Sequence, residues 1–157
     1  MDDKAKRYLR QYLETLGNNK RKKYISFSSG YFCADEKNAE ICSDLILKGI
    51  KTASCSMKYW YSEGEEIMPV VGHLHVVTDW QGNPTSIIET ISVTECRFCE
   101  IDEEFAEWEG EGDRSLEWWH KSHWEFFSKE CEELDIEPSE NMLIVKEIFR
   151  VVYNLNS

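Results

Sequence analysis

In the stretch LILKGIKTASCS (residues 45–56) a lysine, Lys51, lies two residues after Gly49 and three before Ser54. A lysine within reach of a serine or threonine hydroxyl can take its proton and make it a nucleophile. The stretch reads as the end of an amphipathic helix, a glycine stop in the left-handed position, and then an extended segment. Lys51 thus emerges directly after a rigid element, where side chains are often held for work; the plainer reading is a surface lysine leaving a helix. Geometry limits the pairing. In a regular strand residues 51 and 54 point to opposite faces, so they converge only if a turn or bulge follows Gly49. Thr52 shares a strand face with Ser54 and is the rival hydroxyl.

A second chemical cluster is EGEGDRS, residues 109–115. It offers three carboxylates, Glu109, Glu111 and Asp113. Arg114 stands at a helix entrance, where it could reach a phosphate or pair with Glu111. Ser115 suits the N-cap of the helix that follows. Tyr31, Phe32, Tyr59, Trp60 and Tyr61 fall in expected loops near Lys51, and bases stack on exposed aromatic faces. Trp118 lies off the apolar stripe of its helix; most of the six tryptophans are expected in the core. Cys96 and Cys99 have C-x-x-C spacing, but no second pair follows. His73 and His75 would share a strand face, and His120 and His123 a helix face. Only folding could join these into a zinc site, so they read as satisfied histidines and buried thiols, and no metal ligand is assigned.

The elements that must position these groups follow from periodicity. Residues 4–16 place Ala5, Tyr8, Leu9, Tyr12, Leu13 and Leu16 on one helical face. Residues 17–19 stop that helix and 20–23 form a basic linker. Strands are expected at 24–27, 51–57, 72–79, 85–98 and 142–153, with a hairpin turn at 80–84. Helices are expected at 36–48, burying Ile41, Cys42, Leu45 and Ile46, and at 102–108 and 115–134. Residues 58–70 read as a long loop, a length that is often functional. Helices interleaved with mostly antiparallel strands give the α+β class.

At 157 residues the chain is expected to be a single domain. Apolar content of 41% fits a globular core. No apolar run approaches a membrane span and no signal peptide is evident, so a cytoplasmic protein with free thiols and no membrane partner is expected. Charge is divided. Residues 1–23 carry eight Lys/Arg against three acids and the remainder 10 against 27, so the net −12 separates into +5 and −17. An acidic body repels polyanions at long range, so any RNA contact must be local or helped by the basic N-terminal arm. A small nucleoside is not repelled.

The G-x-K-T-x-[ST] run at 49–54 and E-G-x-G-D-x-S-L-x-x-W at 109–119, in this order, resemble the ASCH domain family. The chain is most similar to its stand-alone bacterial subgroup with an N-terminal helix, here residues 1–23 before a core of about 24–153. The resemblance implies a PUA-like, mostly antiparallel β-barrel flanked by helices. It also implies recognition of RNA or a modified nucleoside in a cleft centred on Lys51, with Gly49, Tyr59, Trp60, Arg114 and Ser115 around the ligand. One alternative it carries is an amidohydrolase acting on N4-acetylcytidine-type nucleosides. Lys51, Ser54 and Glu109 would then be catalytic, with Thr52 and Glu111 as substitutes, and no cofactor. Another is a ribonuclease with Lys51 on the scissile phosphate, the one case that needs a divalent metal. A protein-interaction module using the acidic surface is the reading outside nucleic acids.

Overall fold

The structure, a computed structural model, describes residues 1–33 and 35–154. Its frame is a five-stranded mixed sheet in the order β1-β3-β4-β5-β2, formed by β1 (Phe27–Gly30), β2 (Ala53–Met57), β3 (Leu74–Thr78), β4 (Pro84–Arg97) and β5 (Leu143–Asn154). β1 runs parallel to β3 and the other pairs are antiparallel. The α+β class holds, but the sheet is not a closed barrel: no ladder joins its edge strands, β1 and β2. With only four and five residues they end the sheet, whereas the long β4–β5 ladder is bent by register shifts at Ile87/Ile88 and Thr90/Ser92.

Among the described residues six α-helices surround the sheet: α1 (Asp3–Glu14), α2 (Asn18–Arg21), α3 (Glu36–Leu47), α4 (Tyr59–Ser62), α5 (Glu103–Glu109) and α6 (Leu116–Glu133). Asp2, Asp35, Asp102 and Ser115 cap the four longest, each side chain accepting a backbone N–H three residues on. The expected stripe of α1 buries Ala5, Tyr8, Leu9 and Tyr12 against Leu74, Val76 and Ile87. A second core joins Trp119, Phe127 and Cys131 of α6 to Phe98, Phe105, Met57 and Ile144. No described helix is long and apolar enough to cross a membrane.

Several expectations shift. The first strand sits at 27–30 rather than 24–27, because it pairs from Phe27 onward with Leu74 of β3. α2 runs from the expected stop at 17–19 into the first half of the expected linker at 20–23, and the long loop after β2 contains α4. In α3 the buried face is Ala39, Cys42, Ser43 and Ile46, while Ile41 is exposed. Ser43 wins that place because its hydroxyl bonds Thr85 Oγ1 at 2.9 Å, which satisfies a buried polar group.

Candidate functional site

Two glycines bring the chemistry together. Gly49 takes the left-handed conformation (φ +75°) after α3, and both Ile50 N–H and Lys51 N–H donate to Leu45 C=O. Gly110 does the same after α5 (φ +70°), and a Cβ there would stand 2.8 Å from Ile50 O. The two helix ends therefore touch backbone to backbone, and the contact sets Lys51 beside Glu109 and Glu111. Thr52 N–H donates to Trp108 O and Phe149 N–H to Thr52 O, which clamps the segment between α5 and β5. Gly49→Ala, with open space at its Cβ, is expected to cost about 1 kcal/mol for the left-handed backbone alone. Gly110→Ala adds the clash with Ile50 and should cost more, as a comparison of denaturant midpoints would read.

Lys51 is 2% exposed and is held from four sides. Its Nζ lies 3.0 Å from Glu111 Oε2 and 3.7 Å from Glu109 Oε1, and donates to the carbonyls of Ala53 (2.9 Å) and Glu109 (3.3 Å). Glu109, equally buried, uses its other oxygen: Trp119 Nε1–H and His123 Nε2 (3.1 Å) both meet Oε2, and the Cys55 thiol lies 3.7 Å away. His123 stacks on the Trp119 ring at 4.2 Å, and its Nδ1 faces Trp119 C=O at 2.9 Å. Both ring nitrogens of His123 thus face oxygen acceptors, so the ring carries both protons and is an imidazolium.

Four buried or half-buried charges alternate in sign: His123 positive, Glu109 negative, Lys51 positive, Glu111 negative. Burial alone would strip the proton from Lys51, but Glu109 and then Glu111 outweigh it and push its pKa above the usual lysine range. Burial likewise works against charge on Glu109, yet Lys51, followed by His123 and Trp119, holds its carboxyl below the usual range. For His123 burial is again opposed, by Glu109, and the imidazolium persists above its ordinary pKa. Lys51 in this state is a hydrogen-bond donor and electrostatic anchor. Acting as a base would first require removal of a proton that two carboxylates hold.

The cluster forms one wall of a chamber of about 490 Å³, lined also by Phe32, Ser54, Trp60, Trp118 and Phe126. A second chamber of about 370 Å³ lies on the sheet side and shares Phe32 and Ser54 with the first. Phe32 is the partition: its ring centroid is 6.0 Å from Lys51 Nζ and 5.7 Å from the His75 ring. The second chamber is polar without a fixed charge on its histidines. His75 Nε2 faces Gly30 C=O at 3.1 Å and must donate, so Nδ1 accepts from Ser28 Oγ (2.7 Å). Ser28 Oγ then accepts from His73 Nε2–H (2.6 Å), and His73 Nδ1 accepts from Ser26 Oγ (2.6 Å). Burial lowers the His75 pKa to about 4 and pulls His73 down as well, consistent with a neutral chain.

The sequence-derived candidates divide by position. Lys51, Glu109 and Glu111 converge, and Ser54 and Trp60 line the same chamber. Among the described residues no hydrogen bond joins Ser54 to Lys51. Thr52 and Gly49 border a different groove beside Arg150, and the Thr52 hydroxyl points to Trp108 O. Tyr59 packs against the α6 core. Arg114 is exposed, in the left-handed conformation at φ +65°. Ser115 Oγ caps α6 and donates to Asp113. Sequence reasoning missed His123 and Trp119 as partners of Glu109, although their i,i+4 spacing on one helix signals a shared face.

Two trios bring metal-type donors within 4.8 Å: Cys55, Glu109 and His123, and Cys33, Cys42 and Glu111. The first does not suit a cation, because His123 presents N–H groups rather than lone pairs and Lys51 already stands at Glu109. In the second, Glu111 is likewise engaged by Lys51. Asp113 is tied to Ser115, so the acidic loop offers no open set of carboxylates for the divalent ion a ribonuclease would use.

Comparison with known proteins agrees with this architecture. The ASCH domain profile matches residues 28–153. The crystal structure of an ASCH domain from Lactobacillus crispatus JV V101 is 54% identical, with a TM-score of 0.96 over 98% of this chain and 97% of that one. Protein EF3133 from Enterococcus faecalis V583 is 25% identical, with a TM-score of 0.83 over 100% and 97%. The hypothetical protein PH0355 shares the fold at 17% identity, with a TM-score of 0.51 over 82% and 100%. No curated protein matches the chain. With the profile spanning most of its length and a relative of the same fold sharing more than half its residues, the chain belongs to the ASCH domain family.

Proposed function

We propose that the paired chambers around Lys51 bind a modified nucleoside. The carrying observation is their division by Phe32 into a half with two neutral histidines, walled also by Glu66 and Glu147, and a half walled by the buried Lys51–Glu109–His123 ions. A neutral heterocycle suits the first: Glu66 and Glu147 can accept from its N–H groups, and Phe32 and Phe149 supply aromatic walls. Polar substituents on the base would meet Lys51 in the second. Both volumes fall within the roughly 300–1,000 Å³ of small-molecule sites. A long RNA is disfavoured by the −17 carried beyond residue 23, so RNA would enter by a local single-stranded segment.

Deacylation is a second reading, favoured by Ser54 standing where both chambers meet. Its hydroxyl makes no hydrogen bond among the described residues. An N4-acyl amide placed there would direct its carbonyl oxygen at the Lys51 ammonium, which stabilises the developing oxyanion. Glu111, the more exposed carboxylate, would take the Ser54 proton and return it to the leaving amine. The acyl–serine ester would then be released by water.

The test is calorimetric titration of N4-acetylcytidine and cytidine into wild type and Ser54→Ala, with cytidine release followed in parallel. Binding without turnover is expected for a recognition module. Turnover lost in Ser54→Ala with binding retained would establish the hydrolase. Absence of binding to the folded protein by either compound would reject the nucleoside reading.

A further inference from the structure

Beside the ion cluster, Cys33 Sγ and Cys42 Sγ lie 2.7 Å apart. That is closer than two sulfurs rest in van der Waals contact, yet longer than the S–S bond of about 2.05 Å. Both are free thiols. Cys33 is exposed, between β1 and α3, and holds a left-handed backbone (φ +73°) that a side-chain-bearing residue seldom adopts without cause. Cys42 is buried on the inner face of α3. Both thiols face Glu111 Oε1, at 3.8 and 3.5 Å, and the other oxygen of Glu111 is the one that holds Lys51. Among the described residues no other two sulfurs stand in such contact.

We propose that Cys33 and Cys42 form an oxidation site, in which hydrogen peroxide converts the pair to a disulfide that staples the middle of α3 to the wall of the Lys51 chamber. The exposed Cys33 sulfur attacks the peroxide O–O bond. It becomes a sulfenic acid, and the second oxygen leaves as water. The Cys42 sulfur then attacks Cys33 and displaces hydroxide, which leaves as a second water with the Cys42 proton. Two thiols lose one electron each and the peroxide gains two. Glu111 is the acceptor in place for the Cys42 proton. The contact with Cys33, then burial and the Glu111 carboxylate, keep that proton on in the reduced state, so the exposed Cys33 reacts first and the buried Cys42 resolves.

Oxidation changes the site in two ways. It removes both S–H donors from Glu111, leaving Lys51 as its remaining strong partner. It also fixes Phe32, next to Cys33, in the partition between the chambers. The site's response to peroxide is therefore independent of which ligand the chambers take.

The experiment exposes the full chain to hydrogen peroxide and maps disulfides by non-reducing digestion and mass spectrometry. The expected result is one linked peptide pair, Cys33–Cys42, lacking two hydrogens and restored by dithiothreitol. It should form ahead of any disulfide through Cys99, because among the described residues only Cys33 has a resolving thiol in contact. Cys42→Ala should instead accumulate a dimedone adduct at Cys33, and Cys33→Ser should form no link while remaining folded. Cys33 and Cys42 both remaining free after peroxide has oxidised Cys99, or a predominant link through other cysteines or between chains, would overturn the proposal.

Discussion

Lys51→Met is expected to lower folding stability by about 3–5 kcal/mol, the range for removing one partner of a buried ion pair. Methionine nearly matches lysine in length and leaves little cavity, so the loss reports charge rather than volume. With the ammonium gone, Glu109 and Glu111 face a single remaining cation, His123, in a place water barely reaches. One carboxyl must then take up a proton, and unfolding should become steeply pH-dependent near neutrality. Urea titrations of wild type and variant at pH 5 and pH 8 would show it, with the deficit larger at pH 8. A deficit below 1 kcal/mol at both values would mean that the four charges are not coupled as drawn.

The second variant needed is Lys51→Met/Glu111→Gln. Removing a negative charge with the positive one restores balance around Glu109, so the double variant should recover part of the loss. A double-mutant cycle separates this pairwise coupling from general damage. Salt should change it little, since a Debye length of about 10 Å at 0.1 M screens exposed charges rather than buried ones.

The backbone stops of this site were legible from sequence because they are local. Gly49 after an apolar helix and Ser115 before another each announce a cap within a few residues. The gathering of Lys51, Glu109 and Glu111 came from family resemblance, and its physical cause, the Gly110–Ile50 contact, spans 60 residues and leaves no periodic trace. Spacing alone placed Glu109 in an acidic, glycine-containing loop and gave no sign of its burial, which arises because Trp119 and His123 reach it from the next helix. The Ser–His chain on β1 and β3 stayed hidden for a related reason: β1 is parallel to β3 and begins three residues later than alternation suggests. Closure of the sheet was an inference from resemblance, and no pattern in single strands encodes whether two edges meet. Cys33 and Cys42, nine residues apart, looked like two unrelated thiols until a left-handed turn set them face to face.

The pH profile of stability should carry the signature of the His123–Glu109 pair. Glu109 binds its proton more weakly folded than unfolded, so its contribution is complete above about 4.5, its ordinary value, and is lost as pH falls through the lower folded value. His123 binds its proton more tightly folded. Its contribution is complete below 6.5 and is lost as pH rises through the higher folded value. The pair is therefore worth most between these limits. His73 and His75 act in the opposite sense, since their folded pKa values are depressed and acidification below 6.5 favours the unfolded chain. The pair must accordingly be read as a difference, wild type minus His123→Asn, measured by urea unfolding from pH 4 to pH 9. That difference should be flat between 4.5 and 6.5 and decline above 6.5 with a slope of at most about 1.4 kcal/mol per pH unit, one proton's worth. A difference that instead grew with rising pH would show that the folded protein holds His123 neutral, and the alternating-charge account of the cluster would fail with it.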